Sequence, residues 1–256
     1  MIDGHAQIAG DDFPDVDEVL ARARAVGVSE IVVVGAAGGA AGARRAVALC
    51  EAREGLHAAV AVHPCDAGGA AEADFAEICS LAARPSVVAI GDTGLDYRDR
   101  RASPAAQQVA MRRLIRAARA LHKAVIVHVR DAHADARRIL DEEGAADGGV
   151  VVHGFDGAAA DADAYLARGC FLSFSGVVTR PGADELRTIA ARVPDDRLLI
   201  ESDSPYAAPA PMRGRRGEPA FLIHTMRALA AARRRTEEEV ADASSRALRE
   251  ALRMFA

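Results

Sequence analysis

The chain has 256 residues, half of them apolar and 27% charged, with a formal net charge of −5. That composition excludes a disordered chain, and the length is enough for one large α/β domain or two small ones, with roughly three quarters of the unfolded surface buried. The acidic balance excludes a globally basic nucleic-acid binder, so any anion binding must rest on local charge.

No apolar run approaches the roughly 20 residues of a membrane helix, and the N-terminus lacks a basic stretch followed by an apolar one. The expectation is a cytoplasmic protein with no membrane association and no obligate protein partner. Cys50, Cys65, Cys79 and Cys170 are scattered without a C-x-x-C pair and read as small buried hydrophobes. Lys123 is the single lysine among 32 basic residues.

In chain order, the strand candidates are "MID", "EIVVVG", "HAAVAVH", "SVVAIGD", "AVIVHV", "GVVVHG", "CFLSFSG" and "RLLIESD". Their C-terminal ends fall near Asp3, Gly35, Val62, Gly91, His128, His153, Ser175 and Asp203. Near-continuous apolar runs of this kind belong to parallel strands covered on both faces. Segments such as "PDVDEVLARARAVG" and "SPAAQQVAMRRLIRAARALH" lie between them and place apolar residues at helical spacing. Asp15, Ser103 and Asp156 read as helix starts, Gly27 and Gly169 as helix ends. The glycine-rich Gly35–Arg45 segment is a candidate phosphate cradle, although its glycines also suit simple turns. "RTEEEVADASSRALREALRMF" predicts one further amphipathic helix after the last unit.

Eight βα units predict a (β/α)8 TIM barrel in a single domain over 1–256, with an extra C-terminal helix. The structural alternative, a doubly wound open sheet, ordinarily places a phosphate-binding loop after its first strand, and neither common loop signature is there.

In a barrel, chemistry gathers where strands end. Those positions carry His5, Gln7, His63, Asp92, His128, His153 and Asp203. Imidazole nitrogens with carboxylate oxygens suit zinc, manganese and similar divalent ions. His57 (before its strand), His122, His133 and His224 are read as structural. Arg98, Arg100, Arg101, Arg130, Arg180, Arg213, Arg215 and Arg216 follow strand ends on the same face, a cationic mouth suited to phosphate or carboxylate.

The ordered motifs "MIDGHAQ", "AVAVHPCDA", "VVAIGDTGLDY", "VIVHVRDA", "VVHGFDG", "RLLIESDSPYAAP" and "MRGRRGEPAF" resemble those of the TatD family of metal-dependent deoxyribonucleases, among the amidohydrolase-like barrels. The resemblance runs the length of the chain. It implies a hydrolase that cleaves phosphodiester bonds at DNA or RNA ends with one or two divalent ions (Zn, Mn, Mg or Co). One ion would be held by His5, position 7 and Asp203. The other would be held by His128 and His153, with position 92 bridging. His63 would contact substrate phosphate or water, Asp203 could take a proton from the attacking water, and Arg130, Arg213 and Arg215 would bind substrate.

Several positions depart from the family pattern. Gln7 stands for a histidine and Asp92 for the bridging glutamate, while Gly4, Cys65, Ser202 and Gly217 stand for threonine, histidine, threonine and asparagine. These changes leave the His128–His153 side nearly whole and weaken the side of His5. They keep two alternatives open: a non-catalytic relative that serves as a binding or regulatory barrel, and a barrel amidohydrolase with another substrate. A carboxylated-lysine bridge is disfavoured, because Lys123 precedes its strand.

Overall fold

The protein is described by a computed structural model over residues 1–254. Its eight strands are β1 (Ile2–Ala6), β2 (Glu30–Gly35), β3 (Leu56–Val60), β4 (Val87–Asp96), β5 (Ala124–Arg130), β6 (Val150–Val152), β7 (Phe171–Phe174) and β8 (Leu198–Ile200). They form one sheet in sequential order, every neighbouring pair parallel. The sheet closes where Ala6 bridges Ser204, with the Gln7 N–H on the Ser204 carbonyl at 2.8 Å and the Asp203 N–H on the His5 carbonyl at 2.9 Å. This is the predicted TIM barrel.

The helices around it are α1 (Val16–Ala25), α2 (Gly39–Glu51), α3 (Glu72–Ala82), α4 (Pro104–Ala120), α5 (His133–Glu142), α6 (Ala159–Leu166), α7 (Asp184–Arg192) and α8 (Leu222–Arg233). α9 (Glu237–Ala251) is the predicted extra helix; it packs on β1 and β8, and its Ser244 hydroxyl accepts the Ile200 N–H at 3.0 Å. Phe255, the end of the segment predicted helical, lies outside the described residues. No described helix is long and apolar enough to cross a membrane.

Local signals mostly act as their chemistry requires. Ser103 caps α4, accepting the Ala106 N–H at 3.2 Å ahead of Pro104. Thr236 and Glu239 cap α9 reciprocally. Asp15 precedes α1, but its carboxylate pairs with Arg22 and Arg216 instead of capping. α6 starts at Ala159, not at Asp156: the Ala158 N–H is held by Asp161 at 3.2 Å, which fixes the first turn later.

The glycine-rich segment serves packing. A Cβ on Gly35 would lie 2.6 Å from Ala46 Cβ and from the Gly42 carbonyl, and one on Gly42 would lie 2.1 Å from the Ala37 carbonyl, so these glycines let α2 lie close on β2. The Gly38 N–H already meets the Asp66 carboxylate at 3.0 Å. His57 lies inside β3, opposite Val32, not ahead of its strand.

β4 is longer than the apolar run predicts. It continues past Asp92 to Asp96, with a register irregularity against β5 between Ile90 and Thr93. β6 and β8 stop short, so His153, Glu201 and Asp203 sit just beyond their strands, at the end where the sheet stops.

Candidate metal centre

The strands deliver His5 (β1), Asp92 (β4), His128 (β5), His153 (after β6) and Asp203 (after β8) to one point, and His63 joins them as the cap of a 3₁₀ turn over Pro64–Asp66. Asp92 is the hub. Its Oδ2 lies 3.7 Å from His5 Nε2 and 3.8 Å from His63 Nε2, and its Oδ1 lies 3.9 Å from His128 Nδ1. These separations are wider than hydrogen bonds and short enough for one ion to touch both atoms. His5 and His153 stack nearly parallel, with ring centroids 3.7 Å apart. Three groups present ligand-type atoms close together: His5, Asp92 and His153; His63, Asp92 and His128; His153, Glu201 and Asp203.

Hydrogen bonds decide which nitrogen each ring has to offer. His153 Nδ1 meets Glu201 Oε1 at 2.8 Å, which leaves Nε2 for the cavity. His128 Nε2 meets Asp96 Oδ2 at 3.1 Å, which leaves Nδ1 facing Asp92. A carboxylate behind a histidine is the arrangement that orients metal-binding imidazoles. His63 differs: its Nδ1 accepts the Cys65 N–H at 3.2 Å, so in the neutral ring Nε2 carries the proton and faces Asp92 as a donor. That tautomer suits a phosphate or water contact better than metal ligation.

Among the described residues, both nitrogens of His5, both oxygens of Asp92 and Nδ1 of His128 are buried with no hydrogen-bond partner. Leaving such groups unpaired costs roughly 1–3 kcal/mol each. A divalent cation would satisfy His5 Nε2, the Asp92 oxygens and His128 Nδ1 together, so this donor set fits a metal.

The electrostatics agree. Burial, then the His128 imidazole, holds the pKa of His63 down to about 3, and burial holds His5 and His153 well below the usual histidine range. These rings are therefore neutral, and His5 and His153 are able to ligate. Burial drives the carboxyls the other way: Asp92 rises to about 6, Asp3 to about 7, and Asp203 well above its ordinary value, helped by Glu201 and Asp92. Arg130 offsets this for Asp92, Glu201 and Asp203. A bound cation would reverse the balance.

A cavity of about 340 Å³ opens over these groups, with Gln7, Arg101, Arg130 and Tyr206 in its wall. The Arg130 guanidinium is anchored through Nη1 to the carbonyls of Val129 and Gly154, both at 3.0 Å. Arg213 and Arg215 are exposed and do not line the cavity. Their loop is drawn toward α1 by Arg216, which pairs with Asp15 and Glu218, and the Arg215 guanidinium lies over the Phe221 ring at 5.4 Å. His57, His122, His133 and His224 stay away from the cavity.

Reading strand ends alone misses Glu201 and Asp96. Asp96 shares strand parity with the predicted Asp92 in β4, a period of two that was a usable signal, whereas Glu201 lies past the end of β8 and has no such signal. It also misses Asp3, whose Oδ1 accepts N–H groups from Ser202 at 2.8 Å and His5 at 3.3 Å, tying the first strand to the last.

The family described as TatD related DNase matches residues 2–253. A Bacillus subtilis protein named as the uncharacterized metal-dependent hydrolase YabD is 37% identical over 242 residues, 94% of each chain. The protein named 3'-5' ssDNA/RNA exonuclease TatD of Cronobacter turicensis is 37% identical over 88% of each. Among solved structures, the TatD homologue YjjV of Escherichia coli superposes with a TM-score of 0.89 at 27% identity, over 97% of this chain and 96% of its own. With its barrel, its ordered strand-end motifs and this match, the chain belongs to the TatD family.

Proposed function

We propose that the protein is a metal-dependent phosphodiesterase acting on the ends of DNA or RNA. The observation that carries this reading is Asp92, buried with both oxygens unpartnered and faced by three imidazole nitrogens at 3.7–3.9 Å. Relatives named as a metal-dependent hydrolase and as a 3'-5' ssDNA/RNA exonuclease support it.

His5, Asp92, His128, His153 and Asp203 would hold one or two divalent ions, with Gln7 contributing at most an amide oxygen or a bound water. When bound, such ions lower the pKa of a water and stabilise the attacking and leaving oxygens. The chain's own residues do the rest. Asp203, buried beside the Glu201 and Asp92 carboxyls, would take the proton of the attacking water. His63 donates from Nε2 to a phosphate oxygen. Arg130, held on two carbonyls, presents its remaining N–H groups to the same phosphate. Glu201 and Asp96 fix the rings of His153 and His128.

The test is elemental analysis of the purified protein, together with hydrolysis of single-stranded DNA and RNA under manganese, magnesium, cobalt and zinc. Bound metal and metal-dependent turnover are expected; no bound metal and no cleavage of any phosphodiester would overturn the reading. Gln7 and Asp92 favour one rival, a non-catalytic binding barrel. It predicts an inactive native protein in which Gln7→His with Asp92→Glu creates turnover.

A further inference from the structure

A second hollow of about 330 Å³ adjoins the metal centre. It shares Gln7, Ala37 and Tyr206 with the first cavity and runs on past Gly10, Asp12 and Arg45. Its volume falls within the range of small-molecule pockets, roughly 300–1,000 Å³. Tyr206 is 64% exposed, one of two large apolar side chains left open among the described residues, and it stands in the wall of both hollows. The other, Val109, is in α4 and lines neither.

The position of Tyr206 is fixed against the chemistry. It lies three residues after Asp203, and its N–H donates to the Asp203 carbonyl at 2.8 Å. The turn between them is braced on one side by the Gln7 N–H on the Ser204 carbonyl at 2.8 Å, and on the other by the Gly217 N–H on the Pro205 carbonyl at 2.9 Å. A Cβ at Gly217 would lie 2.9 Å from that carbonyl, so the glycine found in place of the family's asparagine lets the loop close onto the turn. The backbone that carries this exposed ring is therefore fixed, so a ligand has only the side chain to order.

The charge of the hollow selects the ligand. Two carboxylates, Asp11 and Asp12, and a single guanidinium, Arg45, line it, a balance that disfavours a phosphate as its occupant and suits a neutral base whose amino group donates to a carboxylate. We propose that this hollow is a nucleoside subsite: the base next to the scissile phosphate turns out past Gln7 and stacks on Tyr206. The proposal rests on the phosphodiesterase reading above and names the part of the substrate that the metal centre does not contact. Stacking of bases on aromatic rings tolerates any sequence, as an enzyme acting on chain ends requires.

The test uses a single-stranded oligonucleotide carrying 2-aminopurine on both bases that flank its first phosphodiester from the 3′ end, with metal-loaded full-length protein. Binding, followed separately by anisotropy, should quench the 2-aminopurine emission; Tyr206→Phe should keep the quenching and Tyr206→Ala should remove most of it. Tyr206→Ala should also raise KM about tenfold with kcat changed less, and an oligonucleotide abasic at those two positions should show the same loss with no further loss in the variant. Equal quenching in Tyr206→Ala, or binding without quenching, overturns the subsite and leaves the phosphodiesterase reading intact. An oligonucleotide that is neither bound nor cut sinks that reading, and the subsite with it.

Discussion

The two ends of the barrel treat histidine in opposite ways. At the end where strands begin, His57 in β3 places Nε2 2.9 Å from Glu30, a carboxylate that also meets Arg249, and the Lys123 ammonium donates to the Val87 carbonyl at 2.6 Å. At the end where strands finish, His5 is fully buried with neither nitrogen bonded, and Asp92 beside it has neither oxygen bonded. His57 is part-exposed and His5 fully buried, so the ends differ in burial as well as in satisfaction, and it is the fully buried end that is left unsatisfied. A fold can retain several unpaired buried donors and acceptors only if something else completes them in the working protein. In a barrel that place is the end where the strands stop.

The strongest way to break this contrast is Asp92→Ala. Removing the carboxylate that faces His5, His63 and His128 should abolish metal retention and lower kcat about a thousandfold, since metal-borne charge stabilisation is worth several kcal/mol. Metal content and rate read the two effects separately. Retained metal with a native rate would show that the unpaired atoms are not a site.

A smaller effect should follow from the groups behind the rings. Glu201→Gln keeps the shape but weakens the hold on His153 Nδ1, and Asp96→Asn does the same to His128 Nε2. Each should cost roughly 10–100-fold in metal affinity, measured by competition with a chelator. The reading of these carboxylates as orienting groups fails if affinity stays within twofold while the protein remains folded.

The unpaired end should also set the pH response of the metal-free protein. Asp3 is pushed to about 7 by burial, so its folded pKa lies above its unfolded value. The stability it contributes is full below about pH 4 and is lost as pH rises through 7. The neutral histidines act in the opposite sense: with His63 held at about 3, their contribution is gained as pH rises and is complete only about one unit above the ordinary histidine pKa of about 6.5. Between pH 6.5 and 8 the two effects oppose, so the Asp3 effect is read as the difference between the chelated native chain and chelated Asp3→Asn. The native chain should lose roughly 1 kcal/mol more than the variant over that interval, about 2–4 °C in Tm, and added metal should erase the difference. The same pH dependence in both proteins contradicts the assignment.

Much of the fold and the outline of the site were legible because they rest on repeating patterns. Eight apolar runs at βα spacing specify the barrel, and a polar residue after each run is visible as a break in that pattern; His5, His128, His153 and Asp203 stand at such breaks. Asp96 was hidden because β4 continues four residues past Asp92, and Glu201 because the short β8 ends before it. Arg213 and Arg215 show the opposite failure. Chain order puts them after β8, but the ion pairs of Arg216 carry their loop away from the cavity, and such long-range pairing has no local signature.

The smallest expected effect lies at the satisfied end. His57→Ala removes a half-buried ring from Glu30 Oε2 but leaves Oε1 its contact with Arg249, and the freed oxygen belongs to a part-exposed carboxylate that water can reach. The cost should be no more than about 1 kcal/mol, a shift of about 2–4 °C in Tm, with metal content and turnover unchanged. His5→Ala should do the reverse, since His5 has no hydrogen bond to lose among the described residues and, by the proposed ligand set, a metal to release. Thermal melts with and without chelator separate the two outcomes. If His57→Ala also empties the metal centre, the barrel's two ends are coupled through β3, and satisfaction of hydrogen bonds is no guide to which histidines carry the chemistry.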